Sequence, residues 1–122
     1  MNNLMKNKRG LVMGVANDKS IGWGIAKAIA DQGGELAFTY QGEALKKRVI
    51  PLADSVNSEI VLPCDVSNDE DIDNTFNELK KKWPKIDFLV HAIAFSDKDE
   101  LKGDYIDTSR KNFINTMDIS VY

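Results

Sequence analysis

Cysteine and histidine are almost missing from this chain. Cys64 is the single cysteine and His91 the single histidine among 122 residues. No internal disulfide can form, and a Cys/His zinc site has too few ligands. A reducing cytoplasm is the simplest home for such a composition. No apolar run reaches the roughly 20 residues that a membrane helix needs. Met1 to Gly10 is polar and lysine-bearing, without the apolar stretch of a signal peptide. A basic excess is missing too: 16 Lys and Arg stand against 19 Asp and Glu, a net charge of −3. Readers of nucleic-acid phosphates ordinarily carry a basic face, so neither nucleic acid nor membrane is expected as a partner.

What the chain does carry is a glycine loop between a short apolar run and a helical pattern. Leu11-Val12-Met13 leads into Gly14-Val15-Ala16-Asn17-Asp18-Lys19-Ser20-Ile21-Gly22-Trp23-Gly24. Behind it, Ile21, Ile25, Ala28 and Ile29 recur at helical spacing. A strand, a glycine turn and a helix N-terminus make an anion site, because free N–H groups and the helix dipole both favour negative charge. A dinucleotide pyrophosphate is the usual occupant. The spacing is wider than G-x-G-x-x-G. Gly14 is expected to make the tight turn and Gly24 to let the helix approach the strand. Ser20-Ile21 stands near the middle glycine's place, where a serine can offer a phosphate both its backbone N–H and its hydroxyl. The same pattern also fits a ligand-free glycine turn.

The rest of the chain alternates strand and helix. Strands are expected near Gly10 to Val15, Leu36 to Tyr40, Ile60 to Leu62 and Phe88 to Val90. The first helix spans Ile21 to Gln32 and stops at Gly33-Gly34. The second places Leu45, Val49, Leu52 and Val56 on one face, with a kink or restart expected at Pro51. Ser67-Asn68-Asp69-Glu70 reads as a capping box opening a third helix with Ile72, Phe76, Leu79 and Trp83 on one stripe. A polar loop, Ser96 to Tyr105, precedes a fourth helix holding Phe113, Met117 and Val121. Short apolar strands separated by helices indicate an α/β fold, a Rossmann-like doubly wound parallel sheet. Right-handed crossovers make 3-2-1-4 the expected order. Only the N-terminal half of such a fold is encoded, so the fourth strand is expected to lack its further neighbour, leaving an apolar edge.

Three further points lie where open α/β sheets bind ligands, beyond the C-terminal ends of the strands. Gln41 occupies the place of the usual ribose-binding acid. It lacks an adjacent arginine for a 2′-phosphate, which favours NADH over NADPH; a solvated strand end is the plainer alternative. Asp65 can accept from an adenine amino group while Val66 donates its N–H, or Asp65 can simply form a turn. His91-Ala92-Ile93-Ala94-Phe95 offers small residues to a nucleotide sugar. His91 continues the strand and is expected to pack structurally, and Cys64 is expected to be a small buried hydrophobe.

These stretches, with Glu35-Leu36-Ala37-Phe38-Thr39-Tyr40-Gln41, Trp83-Pro84-Lys85 and Asp118-Ile119-Ser120, resemble the N-terminal half of bacterial NADH-dependent enoyl-[acyl-carrier-protein] reductases. These form a divergent branch of the short-chain dehydrogenase/reductases. The resemblance spans nearly the whole chain, and the widened loop with its Ser-Ile pair is specific to that branch. It implies reduction of trans-2-enoyl thioesters on acyl carrier protein during fatty-acid elongation, with NAD(H) as cofactor, by a cytoplasmic homotetramer. By resemblance, Gly14, Ala16, Ser20 and Ile21 hold the pyrophosphate region. Gln41 faces the adenosine end, Asp65 and Val66 the adenine, and Ala92 and Ile93 the nicotinamide-side ribose. Ala94, Phe95 and Ser96 match the segment lining the substrate and inhibitor pocket. A glycine is common at the place of Ala94, and the extra methyl narrows that pocket.

No catalytic residue is expected in this chain. The family's tyrosine and lysine lie on a Tyr-x6-Lys motif in its second half, and Tyr105 and Tyr122 have no lysine at that interval downstream. Two other readings stand beside the reductase: a non-catalytic nucleotide-binding module, and a short-chain reductase for 3-ketoacyl or sugar substrates. The Ser-Ile loop and His-Ala-Ile-Ala argue against the latter.

Overall fold

A computed structural model describes residues 3–94 and 103–121. The chain divides into two compact units, Met1–Ala92 and Ile93–Tyr122. The first is a four-stranded parallel sheet: β1 (Arg9–Met13), β2 (Glu35–Tyr40), β3 (Ile60–Pro63) and β4 (Phe88–His91). The strand order is β3-β2-β1-β4, as expected. Helices α1 (Ile21–Asp31), α2 (Glu43–Ser55) and α3 (Asp69–Lys82) connect successive strands. From β1 to β3 the chain steps one way across the sheet, then returns past β1 to β4. Right-handed crossovers therefore put α1 and α2 on one face and α3 on the other.

The face under α1 and α2 is the larger core. Val12, Leu36, Phe38 and Tyr40 from the strands meet Trp23, Ala26, Val49 and Ala53 from the helices. The rings of Trp23 and Phe38 stand 6.2 Å apart and tilted. The buried stripe of α1 is Gly22, Trp23 and Ala26, with Ile29 and Ala30 packed beside it. That stripe is turned from the one expected from sequence. Ile21 is 81% exposed, because the chain enters the helix with Gly22, and not Ile21, toward the strand. β1 ends two residues earlier than expected, since Gly14 leaves the strand with φ 108.

Both helices on this face end alike. Gly33 adopts φ 88, and the N–H groups of Gly33 and Gly34 donate to the carbonyls of Ala30 and Ile29. Asn57 does the same after α2 with φ 60, its N–H and that of Ser58 donating to Asp54 and Ala53. These left-handed closures satisfy carbonyls that the helix leaves open. α2 runs through Pro51 without the expected restart. The capping residue of α3 is Asn68, one position later than expected, and its side chain accepts from the Asp71 N–H.

Gly10 fills a role that spacing did not reveal. It pairs with Phe88 across β1 and β4, and a Cβ there would lie 2.0 Å from the Phe88 ring. Phe88 and Val90 pack on the core, while Leu89 and His91 point to the opposite face and are exposed. The expectation that His91 packs structurally is thus corrected: as the last residue of an edge strand it has no covering layer within its unit. β4 is an edge strand of the described sheet, and its Leu89 is 44% accessible. In the second unit, a short 3-10 turn (Tyr105–Asp107) precedes α4 (Arg110–Ser120). Phe113, Ile114 and Met117 of that helix, and Val121 just after it, are exposed.

Candidate functional site

The C-terminal ends of β1, β2 and β3 carry three loops with different hydrogen-bond economies. The first is the glycine loop. Met13 ends the strand, Gly14 turns with φ 108, and Val15 is buried at 2% exposure. The chain then swings outward and returns at Ser20. The Ser20 hydroxyl oxygen accepts from the N–H groups of Ala16 at 3.0 Å and Asn17 at 3.1 Å. The Ser20 N–H donates to the Asn17 carbonyl, and the Lys19 N–H to the Asn17 side chain.

Ser20 is the N-cap of α1, yet its side chain gives the helix no cap. The contrast is with Asn68 and Ser109, which accept from the third residue of their own helices. The first bond inside α1 is the one from Gly24 N–H to the Ser20 carbonyl. The N–H groups of Ile21, Gly22 and Trp23 are therefore left without partners among the described residues. A helix N-terminus in that state presents open donors and the positive end of its dipole together. One sequence expectation changes here: the Ser20 backbone N–H is already committed to the loop, so the open donors are those of the following three residues.

The close helix–strand approach also belongs to another glycine. A Cβ on Gly22 would lie 3.4 Å from the side chains of both Ala92 and Val15, whereas Gly24 has nothing within 4 Å. Gly24 is exposed, and the expectation that it seats the helix against the strand is transferred to Gly22. The Ala92 N–H donates to the Met13 carbonyl, which fixes this end of β4 beside the loop.

After β2, Tyr40 is buried and Gln41 is exposed. Gly42 follows with φ 85 and opens α2 without a side-chain cap. After β3, one oxygen of Asp65 accepts from both the N–H (2.9 Å) and the hydroxyl (2.6 Å) of Ser67. Asp65 N–H donates to Asp71 Oδ2 at 3.1 Å. Asp65 thus forms the turn, as its plainer reading has it, while its second carboxylate oxygen and the Val66 N–H have no partner among the described residues. Cys64 is buried, and burial pushes its thiol above the ordinary 9.0. A hydrogen bond to Thr75 opposes this, and Asp71 and Asp65 add to it.

Gly14, Ala16, Ser20, Ile21, Gln41, Asp65, Val66 and Ala92 therefore all sit at one end of one sheet. Ile93 and Ala94 open the second unit, half-buried and exposed respectively. Phe95, Ser96 and Tyr122 lie outside the described residues. The interval Tyr-x6-Lys does occur once, from Tyr40 to Lys47. Tyr40 ends β2 inside the core cluster at 8% exposure, so its ring is a packing element. No cluster of His, Cys, Asp and Glu able to hold a metal is found among the described residues. No described helix is long and apolar enough to cross a membrane. A groove of about 880 Å³ opens at the other end of the sheet, between Gly34, Ser58 and Trp83. It touches none of the three loops.

Known proteins resemble this chain along nearly its whole length. Residues 14–122 match the model of the enoyl-(acyl carrier protein) reductase family. The chain is 62% identical over 122 residues to an NADH enoyl-[acyl-carrier-protein] reductase of Rhizobium meliloti, covering all of this chain and 46% of that protein. The Anaplasma phagocytophilum enoyl-(acyl-carrier-protein) reductase in complex with NAD superposes with TM-score 0.93 and 55% identity, over 98% of this chain and 45% of that one. The Bacillus cereus enoyl-acyl carrier protein reductase with NADP+ and indole naphthyridinone superposes with TM-score 0.91 and 44% identity, over 96% of this chain and 46% of that one. The chain spans about half the length of the curated relatives it matches. A parallel sheet in the order 3-2-1-4, an uncapped helix behind a glycine turn, and identity running through both place this chain in the enoyl-[acyl-carrier-protein] reductase family.

Proposed function

We propose that this chain is the cofactor-holding half of an NADH-dependent enoyl-[acyl-carrier-protein] reductase. The observation that carries the reading is the open N-terminus of α1. Ser20 turns its hydroxyl away from the helix, and three N–H groups remain for an anion. A dinucleotide pyrophosphate fits that donor set, with Gly14 allowing the chain to turn beneath it. The loop is held by its own bonds, so the donors are fixed before the ligand arrives. In this reading Gly14, Ala16, Ser20 and Ile21 surround the pyrophosphate, and Gln41 meets the adenosine ribose. Asp65 and Val66 offer an unused acceptor and donor to the adenine. Ala92 and Ile93 border the nicotinamide-side ribose, and Ala94, Phe95 and Ser96 border the acyl substrate.

When bound, NADH supplies the hydride. The residues of this chain bind and orient; none of them transfers a proton. Stabilisation of the developing enolate oxygen needs donors aimed at it, and the family's tyrosine and lysine have no counterpart here. The lone buried Cys64 and the lack of a membrane-spanning described helix support a cytoplasmic site of action. The exposed Phe113, Ile114, Met117 and Val121 support subunit association, which we propose as a homotetramer.

The test is NADH oxidation with a trans-2-enoyl thioester, by this chain alone and by this chain joined to the C-terminal half of the Rhizobium meliloti relative. The joined protein is expected to turn over and the chain alone to bind NADH without turnover. Turnover of a 3-ketoacyl substrate in preference to the enoyl thioester would assign the chain to another short-chain reductase.

A further inference from the structure

The two superposed reductases carry different cofactors, NAD in one and NADP+ in the other, on the same fold. The fold therefore does not choose between them, and the choice falls to charges near the adenosine ribose. The acid that usually stands at the end of β2 and binds the ribose 2′-hydroxyl is replaced by the neutral Gln41. A carboxylate stands two residues further on. Glu43 is the first residue of α2, is exposed, and is the acidic residue of that helix's first turn. It takes part in neither ion pair among the described residues, Arg9–Glu35 or Glu78–Lys81.

The rest of this turn attracts a phosphate. Gly42 supplies no cap, and the first bond inside α2 is from Lys46 N–H to the Gly42 carbonyl. The N–H groups of Glu43, Ala44 and Leu45 have no partner among the described residues, and Lys46, Lys47 and Arg48 follow within the next turn. Left to these groups, the end of β2 would welcome a 2′-phosphate.

We propose that Glu43 is the residue that sets this protein against NADPH, its carboxylate cancelling the attraction of the open turn and the lysines behind it. The proposal rests on the cofactor site read above. A phosphate monoester carries nearly two negative charges at neutral pH. Against it, one exposed carboxylate acts at the scale of a surface charge pair. NADH has no charge at that position and is indifferent to the carboxylate.

Dissociation constants for NADH and NADPH, measured by calorimetry on the folded protein, test it. Glu43→Gln is expected to tighten NADPH about two- to fivefold at low salt while NADH stays essentially unchanged. The gain should shrink as ionic strength rises from about 0.01 M to 1 M, where screening shortens from about 30 Å to 3 Å. Glu59→Gln, an exposed acid beside the opposite end of the sheet, should change neither. Wild-type binding of NADH with an unchanged NADPH-to-NADH ratio in Glu43→Gln overturns the proposal and leaves the cofactor site standing. A folded wild type that binds neither nucleotide overturns the site and the proposal together.

Discussion

The two ends of the one sheet are built on opposite rules. Where the strands begin, polar groups are closed upon each other. Arg9 pairs with Glu35 at 2.6 Å and lies over the Trp83 ring at 5.6 Å; on the far side its N–H donates to the Asp87 carboxylate and its carbonyl accepts from the Asp87 N–H. The Ser58 hydroxyl donates to the Leu36 carbonyl at 2.6 Å, and both helix ends close in left-handed turns. Where the strands end, Ile21, Gly22 and Trp23, then Glu43, Ala44 and Leu45, keep their N–H groups open. Unmade backbone bonds are costly when buried. These open donors gather at the end where an α/β sheet binds its ligand. The difference separates groups bonded within the fold from groups whose N–H remains open.

Substitutions can break this contrast from either side. The largest effect is expected from Gly10→Val, which pushes a side chain into the Phe88 ring. It should lower unfolding stability by roughly 1–3 kcal/mol, the range for overpacking, read as a shifted urea midpoint. Nucleotide affinity of the molecules that remain folded should not change. Gly14→Ala acts at the other end. Its φ of 108 is one that side-chain-bearing residues rarely adopt, so a loss of roughly 1–3 kcal/mol is expected, and here NADH binding should fall with it.

Ser20→Ala should weaken NADH binding by roughly 1 kcal/mol, the scale of one hydrogen bond, and barely move the urea midpoint. Faster amide exchange at Ala16 and Asn17 in the free protein should accompany it, because those N–H groups lose their acceptor. Unchanged exchange would mean that the loop is held by something other than Ser20. The smallest effect is expected at Arg9→Ala. Its ion pair is about half exposed, so roughly 1 kcal/mol of stability is the ceiling, and it should shrink with salt.

Cys64 sharpens the comparison through pH. Its folded thiol titrates above the ordinary 9.0, so the unfolded chain releases that proton first. Its contribution is complete below pH 9.0 and fades as pH rises past that value. Urea midpoints of the wild type and Cys64→Ala, measured at successively higher pH, should converge above pH 9.0. A constant gap between them would exclude the thiol as the cause.

Much of this was legible in the residues, and the misses have particular causes. The four apolar runs gave the strands, and the reversal in crossover direction gave their order. The glycine loop, Gln41 and Asp65 all fall where spacing put them. Glycine identity was the blind spot. Gly24 drew attention by spacing and stands in open space, while Gly22 seats the helix and Gly10 yields to Phe88. Periodicity sees side chains that recur; it cannot see which neighbour occupies the volume a glycine leaves. His91 was misjudged for a related reason, since an edge strand's pattern does not say which of its faces is covered. Ser20 shows a third limit. A serine before a helix is ordinarily its cap, and only the bonds to Ala16 and Asn17 reveal that it serves the loop instead.

Gly10 and Phe88 lie 78 positions apart in the chain and share a single volume. Neither can be inherited freely. A descendant that gains a side chain at position 10 must shrink the one at position 88, and the two changes must arrive together or through an intermediate that folds poorly. Across related chains the pair should vary as one character, a record of the contact between β1 and β4 that no single residue holds.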